Sequence, residues 1–246
     1  NALYGIWVGE EVDAQRQAIR RELIDFLIAQ HAKDQALAEI FALAGRLPNT
    51  VAANADLGTL FLRAGDANRA LENFRSVLRA QPHNQAVLEE AGQAAFMLGN
   101  YAQAHRYLEA LAAPDPKAQS MLKVTSLAVA NDPTEPRLSY AERKRRVSAD
   151  FEHVSQLLQQ CAAPQTPRQN GQPAPQANTL QPLLARQPDV AENLKAAGRQ
   201  EEPDTIFRTL EFVYEVELAA SRSCGPLSDL DSALLMVSQK SKGTEP

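Results

Sequence analysis

No run of eighteen uninterrupted apolar residues occurs anywhere in the 246-residue sequence, so no segment of it reads as a membrane-spanning helix. The nucleotide and nucleophile signatures GxxxxGK[ST], GxGxxG after a strand, GxSxG and HExxH are also missing. Only four histidines are present, His31, His83, His105 and His153, and none stands at metal-ligand spacing from another. Each reads as a surface or packing residue. The sequence therefore predicts no catalytic residue, no metal site and no cofactor, and it reads as a non-enzyme. There is no excess of positive charge: the net charge is −5, which disfavours nonspecific binding to nucleic acid. Cysteine is scarce and no CxxC occurs. Cys161 and Cys224 are either free buried thiols or a disulfide tying one helix to another, and a disulfide would fit an oxidising compartment. Such a bridge would be worth roughly 3–5 kcal/mol on a chain-entropy basis.

What is present is a repeat. Residues 51–82 read as two short helices joined by a tight turn, the first ending at Gly65 and the second starting behind Asp66 as N-cap. Gly58 and Ala70 mark where the two helices cross. Leu57, Phe61, Phe74, Val77 and Leu78 fill the space beside that crossing. One such hairpin has too little apolar surface to stand alone and must stack on neighbours. The neighbours recur every thirty-four residues: Pro48, Pro82 and Pro116; Ala36, Ala70 and Ala104; Ile40, Phe74 and Leu108; Leu43, Val77 and Leu111. Gly58 matches Gly92, Gly65 matches Gly99, and Asp66 matches Asn100.

This period and these residues resemble the tetratricopeptide repeat family. The resemblance implies an all-α fold, a right-handed superhelix of helical hairpins, with an appended C-terminal helical region. The expected division is a capping segment at 1–16, three repeats over 17–116, a degenerate fourth hairpin with a long helix at 117–162, a linker at 163–179, and a helical region at 180–246. The first copy is atypical, with Ile24 in the glycine position and His31 in the turn-glycine position, as suits a terminal repeat.

In this family the first helix of each hairpin lines a concave groove that takes an extended or helical peptide. By equivalent position the groove here is Arg21, Asp25 and Ile28, then Ala55, Thr59, Leu62 and Arg63, then Glu89, Gln93, Phe96 and Met97, with Lys123 from the loose fourth copy. The Lys/Asn/Arg clamp that some family members use on a C-terminal carboxylate is missing. An apolar floor around Leu62, Phe96 and Met97 lies among charges of both signs, although Phe96 and Met97 also suit the core between repeats.

Outside the repeats the sequence is less regular. Leu3, Tyr4, Ile6 and Trp7 open the chain, either as a helix start packing on the first repeat or as the juxtamembrane end of a removed anchor. Asn1-Ala2 in place of an initiator Met admits a tag-removal scar. Together these favour a bacterial extracytoplasmic location, periplasmic or membrane-tethered, over a cytoplasmic one. Arg143, Lys144, Arg145 and Arg146 read as a solvated helical face, or as a patch for phosphate or an acidic partner. Residues 163–179 hold four prolines, four glutamines and no large apolar residue, the composition of a linker. Beyond them, residues 204–222 form a helix too apolar to face water, and Ser228 with Asp231 resembles a capping box for a last helix. These C-terminal helices are expected to dock on the repeats, as a cap on the last hairpin or inside the groove, or to form a separate module. The function expected is a protein-binding scaffold or adaptor whose partner is another protein. The alternatives are a structural subunit whose groove is filled by its own C-terminal helices or by a second copy, and an enzyme or ligand-binding protein with its site in the C-terminal region. Ionisable residues do not cluster there in the sequence, which weighs against the last.

Overall fold

The computed structural model describes residues 2–163, 180–198 and 202–242, with side chains from 14 to 163, 180 to 198 and 203 to 240. The expected linker and the side chains of Leu3, Tyr4, Ile6 and Trp7 lie outside the described residues. The described chain is all helical: α1 (Ala2–Ala29), α2 (Lys33–Ala44), α3 (Val51–Arg63), α4 (Ala67–Ala80), α5 (Gln85–Met97), α6 (Tyr101–Glu109), α7 (Pro116–Asn131), α8 (Tyr140–Ala162), α9 (Gln181–Ala196), α10 (Glu202–Ser223) and α11 (Asp229–Lys242). The chain divides into two compact units, Asn1–Gln119 and Ser120–Pro246, the boundary falling within α7.

In the first unit the helices pack as hairpins, α1 with α2, α3 with α4, α5 with α6, and successive hairpins stack through α2 on α3 and α4 on α5. The thirty-four-residue period survives in the backbone itself. His31, Gly65 and Gly99 all take positive φ, at 56°, 80° and 70°. Each closes its helix the same way: Ala32 N–H donates to Leu27 O, Asp66 N–H to Phe61 O and Asn100 N–H to Ala95 O, the six-residue closure that satisfies otherwise orphaned carbonyls. Entry is also repeated. The side chains of Thr50, Asp66 and Asn84 accept the N–H of Ala53, Arg69 and Val87 respectively. His31 does with a Cβ what the later copies do with glycine, and L-residues are disfavoured there by roughly 1–2 kcal/mol. His31→Gly should therefore raise the stability of the first unit by about 1 kcal/mol, with some of the gain lost to the greater unfolded-state entropy of glycine. Denaturant melts of the two proteins check this.

The close crossing expected at Gly58 is present. A Cβ built there would lie 2.4 Å from Phe74 Cε1, and one at Gly92 would lie 2.8 Å from the Leu108 side chain. Ile24 takes the glycine position in the first copy and stays fully buried, as does Ile40 in the register of Phe74 and Leu108. Glycine thus stands opposite Phe74 in the second copy and Leu108 in the third, while the first copy holds Ile24 in the register of glycine and Ile40 in that of Phe74. The core continues through Leu43, Leu71, Val77, Ala91 and Ala104.

Residues 2–16 of the expected capping segment run without a break into the first helix of the first hairpin, so α1 is 28 residues long. Residues 181–196 form one helix with Pro188 inside it.

The second unit is built on α8, which packs against α9 and α10, while α10 packs on α11. Its core gathers Val154 and Leu158 from α8, Leu180 and Leu183 at the start of α9, Phe212, Val213 and Val216 from α10, and Leu234 from α11. These contacts account for part of the apolar excess of residues 204–222, while Phe207 is 40% exposed. Cys161 and Cys224 join the C-terminal ends of α8 and α10 in a disulfide.

Candidate functional site

The first-helix face of the repeats is assembled from α1, α3 and α5. Charged side chains tie these helices to one another. Arg21 of α1 pairs with Asp56 of α3, and Arg63 of α3 pairs with Asp25 of α1 at 2.7 Å. The Thr59 hydroxyl of α3 donates to the Glu90 carboxylate of α5 at 2.6 Å. Gln93 of α5 accepts from Lys117 Nζ at 3.4 Å. Burial pushes the Glu90 carboxyl above its ordinary range, Thr59 opposes this, and the charge of Glu89 adds to it. These are half-exposed pairs, so each contributes at most a few tenths of a kcal/mol to about 1 kcal/mol. Their larger consequence is that the Arg21 and Arg63 charges on this face are already matched within the unit. Glu89, partly exposed, has no ion-pair partner among the described residues.

The groove candidates separate by exposure. Leu62 is 8% exposed and belongs to the core, so it offers little surface. Ile28, Ala55 and Phe96 are partly buried against that core, and the Phe96 ring lies edge-on to Tyr101 at 5.8 Å. Met97 is 51% exposed and Arg63 is likewise outward. Lys123 lies in the second unit, where it pairs with Asp229.

The basic run of α8 is not a free solvated face. Glu142 holds Arg145 and Arg146, and their hydrogen bonds lower its carboxyl to about 2. Arg146 also donates to the carbonyls of Val129 and Asp132, Lys144 to those of Lys195 and Ala197, and Arg143 to that of Pro136. These side chains fasten loops and helix ends within their unit.

The second unit also holds buried acids that sequence reasoning missed. Asp150 of α8 is 2% exposed and its Oδ2 has no hydrogen-bond partner. Burial, then the nearby Asp132, push its carboxyl up to about 8, with Arg146 pulling the other way; Asp132 in turn accepts from Lys240 at 3.3 Å. An acid whose folded-state pKa is raised binds its proton more tightly when folded. Its contribution is therefore fully present below the unfolded value near 4 and is lost as pH rises through about 8. The second unit should melt at lower temperature near pH 9 than near pH 5, and Asp150→Asn should flatten that slope. Melts across this range check it.

Three more ionisable groups converge from three helices: His153 of α8, Glu217 of α10 and Asp231 of α11, with ligand-capable atoms all within 4.8 Å of one another. His153 Nε2 is 2.6 Å from Asp231 Oδ1. Asp231 is held by the capping box read from the sequence: its Oδ2 accepts the Ser228 N–H at 2.8 Å, and its own N–H donates to Ser228 Oγ at 3.2 Å. Glu217 is fully buried, and burial followed by the charge of Asp231 pushes its carboxyl up to about 8. The expectation that ionisable residues do not cluster in the C-terminal region does not hold in three dimensions. No motif spacing could reveal these three, because they lie in separate helices and only the packing of α8, α10 and α11 brings them together.

Comparison with known proteins gives one match: residues 61–125 fit a family model described as tetratricopeptide repeat. No curated protein and no solved structure matches the chain. Tetratricopeptide repeats generally mediate protein–protein interaction and are typically non-catalytic. With paired helices, a thirty-four-residue register in turns and caps, and the family match at residues 61–125, this chain carries tetratricopeptide repeats.

Proposed function

We propose that the chain is an adaptor that binds a peptide segment or helix of another protein on the face of α1, α3 and α5. The observation behind this reading is the helix-to-helix pairing of charges on that face. The pairing fixes three first helices as one preformed surface, so little ordering cost remains for the partner to meet. With the internal cations matched, Glu89 and the exposed Met97 are the groups left to a ligand. The segment that suits them carries an apolar side chain for the Phe96–Met97 end and a cation opposite Glu89. No carboxylate clamp enters this mode. Phe212, Val213 and Val216 of α10 and Leu234 of α11 are buried in the core of their own unit, so these side chains are not available to fill the groove.

The test is affinity capture with the wild-type chain and with Glu89→Lys, Met97→Glu. Glu89 is partly exposed and Met97 is exposed, so the double variant should keep its helical spectrum and thermal midpoint. Leu62→Glu is unsuitable because it would put a charge into the core. A protein held by wild type and released by the folded variant supports the reading. Equal retention by both places the working surface elsewhere.

A further inference from the structure

We propose that His153, Glu217 and Asp231 form a binding site for one divalent transition-metal ion, zinc foremost, that joins α8, α10 and α11. Three observations carry this. The donor atoms come from three different helices and lie within 4.8 Å of one another, close enough to meet on one ion with small side-chain movements. Glu217 is 0% exposed, yet neither of its carboxylate oxygens has a hydrogen-bond partner. A buried carboxyl beside a second carboxylate, with no hydrogen bond to either oxygen, must keep its proton or meet a cation, and the donor atoms gathered here suit a cation. Finally, Asp231 is oriented from behind by Ser228 through both its carboxylate and its N–H, the kind of support that fixes a metal ligand's direction.

The donor set selects the ion. Two carboxylates and a neutral imidazole carry a charge of −2, which a divalent cation neutralises. One nitrogen and two oxygens suit zinc or a neighbouring first-row metal. Calcium wants six to eight oxygens, and magnesium keeps most of its waters. Three protein ligands leave a fourth position for water, and the His153 side chain is 34% exposed at the edge of the cluster. Metal bonds of about 2.0–2.2 Å at a tetrahedral ion would open the present His153–Asp231 contact by about 0.7–1 Å. The disulfide supports the geometry. Cys161 follows His153 by eight residues and Cys224 follows Glu217 by seven, so the bridge clamps the same α8–α10 seam about two turns, or about 11 Å, away.

The experiment uses the full chain, oxidised and stripped with a chelator, titrated with zinc chloride by calorimetry and followed by thermal melting. Wild type should take up one zinc per chain and melt higher with it. Magnesium and calcium should give no such shift. Glu217→Gln and His153→Ala should each weaken zinc binding by about tenfold or more. Glu217→Gln keeps the shape and introduces no charge, so it should fold even if His153→Ala does not. Absence of saturable one-to-one binding by wild type would overturn the proposal. So would wild-type zinc affinity in folded Glu217→Gln, or a preference for magnesium or calcium over zinc.

Discussion

Replacing both cysteines, Cys161→Ser with Cys224→Ser, should lower the stability of the second unit by roughly 4 kcal/mol. The bridge spans 63 residues of sequence and joins the ends of α8 and α10. Without it the unfolded chain regains the conformations that a closed loop of this length forbids, and that entropy is the main expected loss. The folded side of the balance changes less. Phe151 still meets Phe212 at 5.7 Å between centroids, and Val154, Leu158, Val213 and Val216 still close the core. The unit should therefore fold when reduced, but marginally. Hydrogen exchange by residue is the suitable measurement. Protection in α8 and α10 should fall by about three orders of magnitude, since 1.4 kcal/mol is tenfold, while α3 and α4 in the first unit keep theirs. Equal loss in both units would mean that they do not unfold independently.

Phe74→Ala should cost the first unit about 3–5 kcal/mol. The ring is 0% exposed and lies across Gly58, in the place where any Cβ at position 58 would collide with it. Removing the ring leaves a cavity lined by Gly58 and its neighbours, and a glycine has no side chain with which to refill it. Gly58→Ala should also destabilise, by about 1–2 kcal/mol. Overpacking typically costs about 1–3 kcal/mol, and the better helix propensity of alanine returns only part of that. The third copy shows that a smaller partner relieves the crossing only in part, because a Cβ at Gly92 would lie 2.8 Å from Leu108 against 2.4 Å from Phe74 at Gly58. Gly58→Ala combined with Phe74→Leu should therefore cost less than the sum of the two single changes, with a coupling of about 1 kcal/mol. Urea denaturation of the four proteins measures it. Strict additivity would show that ring and glycine do not share one space.

The repeats were legible because their physics is local and repeated. A tight turn needs positive φ, and the sequence marks it with Gly65 and Gly99. A helix entry needs an acceptor, and Asp66 supplies one. A close crossing needs a small residue, and Gly58 opposite Phe74 supplies it. Even the irregular His31 fell in register, because the backbone closure there depends on the chain path more than on the residue. Position on the first-helix face was legible too, but exposure was not. Leu62 and Met97 both look apolar and surface-facing on a helical wheel, yet one is buried in the core and the other is half open. The buried acids were illegible for a different reason. Asp150 looks like any polar residue of an amphipathic helix. His153, Glu217 and Asp231 are joined only by the packing of helices that a long polar stretch separates in sequence. Charge counting and motif spacing register neither burial nor convergence.

The most direct test of the adaptor reading is site-specific photocrosslinking in the native extract. A photoreactive residue is placed at Met97 on the first-helix face or at Glu72, exposed on the second helix α4. The account predicts one discrete adduct from position 97, absent from position 72 and lost when Glu89→Lys is added. An adduct from position 72 alone, or one from position 97 that Glu89→Lys leaves unchanged, would contradict it.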